Sequence, residues 1–108
     1  MTTPDKWVIV KIPNNEYKVY GSWFVEKWRL NSGITRVEED EDYYYFYGYS
    51  GSCYKCHKQG YGVVTAYCRG VLDNILDMTK DTLTPVELLE EGKYNWGKFE
   101  SGTGFEPA

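Results

Sequence analysis

Tyr43-Tyr44-Tyr45-Phe46-Tyr47-Gly48-Tyr49-Ser50-Gly51-Ser52-Cys53-Tyr54-Lys55-Cys56-His57 is the stretch that decides the fold. An aromatic run favours a strand, because flat and branched side chains pack well on a pleated surface. Ser50-Gly51-Ser52 is turn chemistry, and Cys53 to Lys58 resumes as a second strand. The segment is therefore read as a β-hairpin. With a side-chain period of two, Tyr43, Tyr45, Tyr47 and Tyr49 share one face, and Tyr44, Phe46 and Gly48 share the other.

Upstream, Glu38-Glu39-Asp40-Glu41-Asp42 is too densely acidic to be anything but a solvated turn. It joins the aromatic arm to a strand at Ile34–Val37. Lys6–Ile12 is β-branched and short, a strand. Pro13-Asn14-Asn15-Glu16 is a turn, and Tyr17–Phe24 returns as its hairpin partner, with Gly21-Ser22 marking a bulge or a close backbone approach. Between Phe24 and the strand at Ile34, Val25–Gly33 has charges at Glu26, Lys27 and Arg29 that break any alternation. It is read as a loop or a single helical turn.

Downstream the period changes. Val64, Cys68, Val71, Leu72, Ile75 and Met78 recur at spacings of three and four, the pattern of an amphipathic helix. Gly70 disfavours helix by ~1 kcal/mol. The helix therefore either begins before it or follows it, with Tyr61–Tyr67 as a strand in the second case. Thr84-Pro85-Val86-Glu87 has the form of a helix start, with a capping hydroxyl, a first-position proline and a capping-box glutamate. That predicts a short C-terminal helix ending at Gly92. In Lys93–Ala108, Trp96 is the expected anchor and the last residues are expected to fray. The sum is an α+β domain spanning residues 1–108: an antiparallel sheet of about five short strands packed on one amphipathic helix, plus the short C-terminal helix.

Composition narrows the function classes. The chain has 108 residues, 42% hydrophobic and 18% aromatic, with 11 Tyr and 4 Trp. Disordered chains are poor in aromatics, so this one folds. No apolar run is long enough for a membrane helix. The net charge of −4 argues against general nucleic-acid binding, which draws its affinity from phosphate neutralisation. Three cysteines leave one unpaired under any intramolecular scheme. With no basic-then-apolar leader at the start, reduced thiols in a cytoplasm are expected.

Several groupings bear on chemistry. Cys53-Tyr54-Lys55-Cys56-His57 has the C-x-x-C-H form of covalent haem attachment, with Met78 available as a second axial ligand. Cys53, Cys56, Cys68 and His57 have the composition of a zinc site. In a strand, however, Cys56 and His57 point to opposite faces. The simpler reading is cysteines that pack and a surface histidine, with no metal and no cofactor. A Cys–His nucleophile meets the same objection, and no carboxylate stands at a spacing that would orient the imidazole. A non-catalytic protein is expected.

The aromatic cluster carries the positive expectation. Tyrosine on both faces of a strand leaves some rings half exposed, and rigid amphipathic rings are what binding surfaces use. Arg29, Arg36 and Lys55 lie near in sequence. The expected binding residues are Arg29, Arg36, Tyr43, Tyr45, Tyr47, Tyr49, Ser50, Ser52, Tyr54 and Lys55. They serve either to bury the face against a protein or to hold a small nucleotide by stacking, with the Ser50-Gly51-Ser52 turn on its phosphate. A homo-oligomer is a further possibility.

The segments Trp28-Arg29-Leu30-Asn31-Ser32-Gly33-Ile34 and Tyr45–Lys58 resemble small accessory proteins of tailed bacteriophages. The resemblance implies a protein acting in the cytoplasm of an infected bacterium. It further implies antagonism of a host defence system, by binding a host protein or by sequestering a nucleotide signal.

Overall fold

The computed structural model describes residues 1–108. Its first hairpin is as expected. β1 (Lys6–Ile12) and β2 (Glu16–Trp23) pair antiparallel, from Lys6 opposite Ser22 to Ile12 opposite Glu16. The connecting residues Asn14 and Asn15 have φ of 70° and 55°. Asparagine tolerates that left-handed region because its side chain can bond locally. β3 (Lys27–Leu30) follows on the other edge of β2, where a loop or helical turn was expected. It is an edge strand, and edge strands tolerate the charges that hid it.

The second hairpin adds β4 (Ile34–Glu39), β5 (Tyr43–Gly48) and β6 (Cys53–His57), a separate three-stranded antiparallel sheet. Glu38 and Glu39 belong to β4, so the solvated turn is confined to residues 40–42. The single helix, α1 (Ala66–Thr79), runs through Gly70. Thr65 caps it, its hydroxyl accepting from the Cys68 amide at 3.1 Å. Tyr61 makes only an isolated bridge to Trp7, so there is no strand at 61–67.

The expected C-terminal helix does not form. Thr79 Oγ1 accepts from the Val86 amide (3.0 Å), and β7 (Glu87–Leu88) pairs with Val10 and Lys11 on the free edge of β1. An extended chain sends Leu88 and Leu89 to opposite faces, so both are covered. Leu88 packs in the helix-side cluster and Leu89 is 2% exposed in the main core. That burial outweighs a capping signal spread over a few residues, too short a run for a stable helix. The tail does not fray either: β8 (Tyr94–Glu100) and β9 (Gly104–Pro107) form a third sheet. Gly104, at φ 99°, sits against the Tyr17 ring, with no room for a Cβ.

The α+β class therefore holds, but as nine strands in three antiparallel sheets rather than one sheet of about five. The sheet β3-β2-β1-β7 is the middle layer. Val8, Val10 and Tyr20 face α1 through Leu72, while Trp7, Ile9, Tyr17 and Val19 face the other two sheets. Buried on both sides, β1 has no room for alternation. Trp7 is the hub of the larger core. Its ring centroid lies 4.9 to 6.2 Å from those of Tyr61, Phe46, Tyr44 and Trp96. Its Nε1 donates to the His57 carbonyl at 2.7 Å, so the burial leaves no unpaired donor. No helix is long and apolar enough to cross a membrane.

Candidate functional site

The strict period of β5 divides the second hairpin into two faces. Phe46 is fully buried on the inner one, and Tyr44 packs beside it against Trp7. Tyr43, Tyr45 and Tyr47 are half-buried on the outer one. Strand register then fixes their neighbours. Tyr47 stands between Arg36 and Cys53, Tyr45 between Glu38 and Lys55, and Tyr43 beside His57.

These neighbours are engaged with the rings. The Arg36 guanidinium lies 3.8 Å from the Tyr47 ring centroid, and its Nη1 is 2.9 Å from Glu38 Oε2. Lys55 Nζ lies 4.3 Å from the Tyr43 centroid, and the Tyr43 and His57 rings meet edge-on at 5.1 Å. Cation–π contact of this kind holds a long side chain in one orientation. Tyr43 and Tyr45 tilt together at 6.5 Å.

Asp40, from the acidic run, organises the end of the face. Its Oδ1 accepts from the amides of Asp42 (2.9 Å) and Tyr43 (2.8 Å), and its Oδ2 accepts from the Tyr45 hydroxyl (2.6 Å). The bond to Tyr45 foremost, then the amide of Tyr43, hold the Asp40 carboxyl below the usual range. In return the same bond, with partial burial, pushes the Tyr45 phenol up to about 12. Burial first, then the neighbouring Cys53 thiol, raises Tyr47. Glu38 raises Arg36.

Five of the expected binding residues thus come together: Arg36, Tyr43, Tyr45, Tyr47 and Lys55. The rest do not join them. Tyr54 is 3% exposed on the inner face of β6, opposite Phe46, so it belongs to the core. Arg29 lies on β3, opposite Gly21, in the middle sheet. Tyr49 follows β5 and is exposed, but its ring lies over Gly33 instead of continuing the row. Ser50 and Ser52 bond to each other and to Ser32, in the β3–β4 connection. Ser32 Oγ accepts from the Ser50 amide at 3.0 Å, and the three hydroxyls link at 3.2 and 3.0 Å. The Gly51 amide is also taken, by the Gly48 carbonyl. Four outer-face residues, Glu38, Asp40, Cys53 and His57, were missing from the expected set. The period-two rule, applied to the neighbouring strands with a register, would have included them.

The cysteines and histidine do not converge. Cys53 faces out, and Cys56 faces in, fully buried. Cys68 is buried on α1 with its thiol on the Lys27 carbonyl at 3.3 Å. His57 Nδ1 accepts from the Gln59 amide at 3.1 Å. Burial raises both Cys53 and Cys56, which is the opposite of what makes a thiol nucleophilic. The cavities of the fold lie off the outer face, one between α1 and the middle sheet and the others around β7–β9 and the Ile12–Pro13 turn. The outer face is a row of rings with no cavity among them, flanked by the Arg36–Glu38 ion pair and by Lys55. No protein-family model matches the chain, and neither does any curated protein or solved structure.

Proposed function

We propose that the protein is a non-catalytic binding protein that docks a partner protein on the outer face of β4-β5-β6. One observation carries the reading: three half-exposed tyrosines in consecutive outward positions, flanked by Arg36 and Lys55 already oriented against their rings. Holding half-exposed aromatic surface in water favours association unless a partner covers it. Rings and guanidinium groups pre-set in position lose little entropy on docking, and such residues dominate interface energetics. The placing of every cavity away from this face, and the engagement of the Ser50 and Gly51 amides by Ser32 Oγ and the Gly48 carbonyl, favour a protein over an enclosed nucleotide. The resemblance of the Trp28–Ile34 and Tyr45–Lys58 segments to phage accessory proteins makes a bacterial host protein, one acting in defence, the class to screen first. That part of the reading rests on the resemblance alone.

The test is capture from a bacterial lysate, followed by calorimetry with the captured protein. Tyr45→Ala and Tyr47→Ala should each weaken binding by ~2 kcal/mol or more, as at interface hot spots. Glu100→Lys and Glu106→Lys, on the third sheet, should leave it nearly unchanged. If the tail variants lose the partner and the tyrosine variants keep it, the face is wrongly assigned.

A further inference from the structure

On the opposite side of the molecule, α1 does not fully cover the middle sheet. A partly enclosed groove of about 170 Å³ remains. Seven of its eight lining residues are hydrophobic, among them Val10 and Tyr20 from the sheet, Leu72 and Ile75 from the helix, and Val86. Its walls are held in place. The Tyr20 hydroxyl donates to the Cys68 carbonyl at 2.7 Å, and the Val86 amide is pinned to Thr79 Oγ1 at the end of α1. The single charged lining residue is Lys18, half-buried on β2 opposite Val10. It is absent from the ion pairs of the structure, so no carboxylate lies within 4 Å of its ammonium.

Size and charge together specify a ligand. An apolar cavity of about 150 Å³ is enough for benzene, so this groove suits an apolar body of about six carbons. An unpaired ammonium at an apolar site favours a carboxylate, which it can meet with a charge-assisted hydrogen bond. We propose that the groove binds a small amphipathic carboxylate, its hydrocarbon part between Leu72, Ile75 and Val86 and its carboxylate on Lys18. The alternative role for Lys18 is to lay its stem along apolar surface and leave its head in water. The two roles differ in one observable, the preference for acid over alcohol. The site is independent of the outer tyrosine face and stands or falls separately from it.

The experiment titrates the full chain with hexanoate, hexanol and hexylamine, following backbone amide signals by two-dimensional NMR. Hexanoate should move the signals of Val10, Leu72, Ile75 and Val86 saturably. Hexanol should bind at least about tenfold more weakly, the worth of a hydrogen bond to a charged group, and hexylamine more weakly still. Lys18→Met should equalise acid and alcohol, and Ile75→Trp, which fills the groove, should remove both. Equal binding of hexanoate and hexanol by the unmodified protein would overturn the proposal. So would shifts centred elsewhere, or none that saturate. The three-ligand comparison on the unmodified protein decides even if a variant fails to fold.

Discussion

The two faces of β5 are built from nearly the same residues and meet opposite fates. Inward, Tyr44 and Phe46 meet other rings: Trp7 lies 5.9 and 5.3 Å from them, and Phe105 lies 6.1 Å from Phe46. Outward, Tyr43, Tyr45 and Tyr47 meet a lysine, a carboxylate and an arginine. An aromatic strand therefore declares its core face through the chemistry across the register, not through its own composition. Tyr44 marks the boundary: half-buried among rings, it still has Lys58 Nζ 5.1 Å from its centroid.

The largest test of that contrast is a pair of truncations on adjacent residues. Phe46→Ala empties a fully buried site beside Trp7 and should destabilise the fold by ~3–5 kcal/mol. Tyr47→Ala removes a half-exposed ring with one cation on it and should destabilise by under ~1 kcal/mol. Denaturant midpoints at constant slope give both values. Comparable losses would mean that the outer ring is structural and has no free face to offer.

β6 repeats the contrast with a smaller side chain. Cys56→Ser places a hydroxyl where nothing polar meets the thiol and should cost ~1–3 kcal/mol. Cys53→Ser, on the outer face, should stay within ~0.5 kcal/mol. Thiol labelling under native conditions should follow the same order, Cys53 reacting well before Cys56. Equal labelling rates would place Cys56 within reach of solvent.

The sequence disclosed the parts of this molecule where local and tertiary preferences agree. The β1–β2 and β5–β6 hairpins have turn residues within one position of where the strands end, and α1 has an apolar stripe. The misses have physical causes. β3 shows no alternation because it is an edge strand with three of its four residues exposed. In β8, a register shift between Asn95 and Phe99 takes Trp96 and Phe99 out of simple alternation. Within the site, Arg36, Tyr43, Tyr45, Tyr47 and Lys55 were legible from the period and from nearness in sequence. Tyr54 was not, because its face follows from a register that places it opposite Phe46. Arg29 was not, because nothing local reveals that β3 joins a different sheet. The two helix starts show the same split. Thr65→Ala removes an observed cap and should cost ~1 kcal/mol. Thr84→Ala should change the midpoint little, since its residue is exposed and precedes a strand. The reverse order would restore the helix at 84–92.

The smallest effect concerns the proton on the outer face. Tyr45 donates to Asp40, and its neutral form is held so firmly that its pKa rises to about 12. A raised folded pKa stabilises the fold fully below the unfolded value, about 10 for tyrosine, and the contribution is lost as pH climbs from about 10 through about 12. Asp40 has the opposite sign. Its lowered pKa contributes above the ordinary carboxylate range and is lost as pH falls through the depressed value. Asp40→Asn separates charge from geometry. The asparagine oxygen still accepts from the amides of Asp42 and Tyr43, so the turn survives, while the negative acceptor for Tyr45 is gone. Tyrosine Cζ shifts followed by NMR through alkaline pH should show Tyr45 titrating lower in the variant, while the hairpin amide signals stay in place. An unchanged Tyr45 titration would transfer the cause from the carboxylate to burial of the ring. The outer face would then be more enclosed than a docking surface should be.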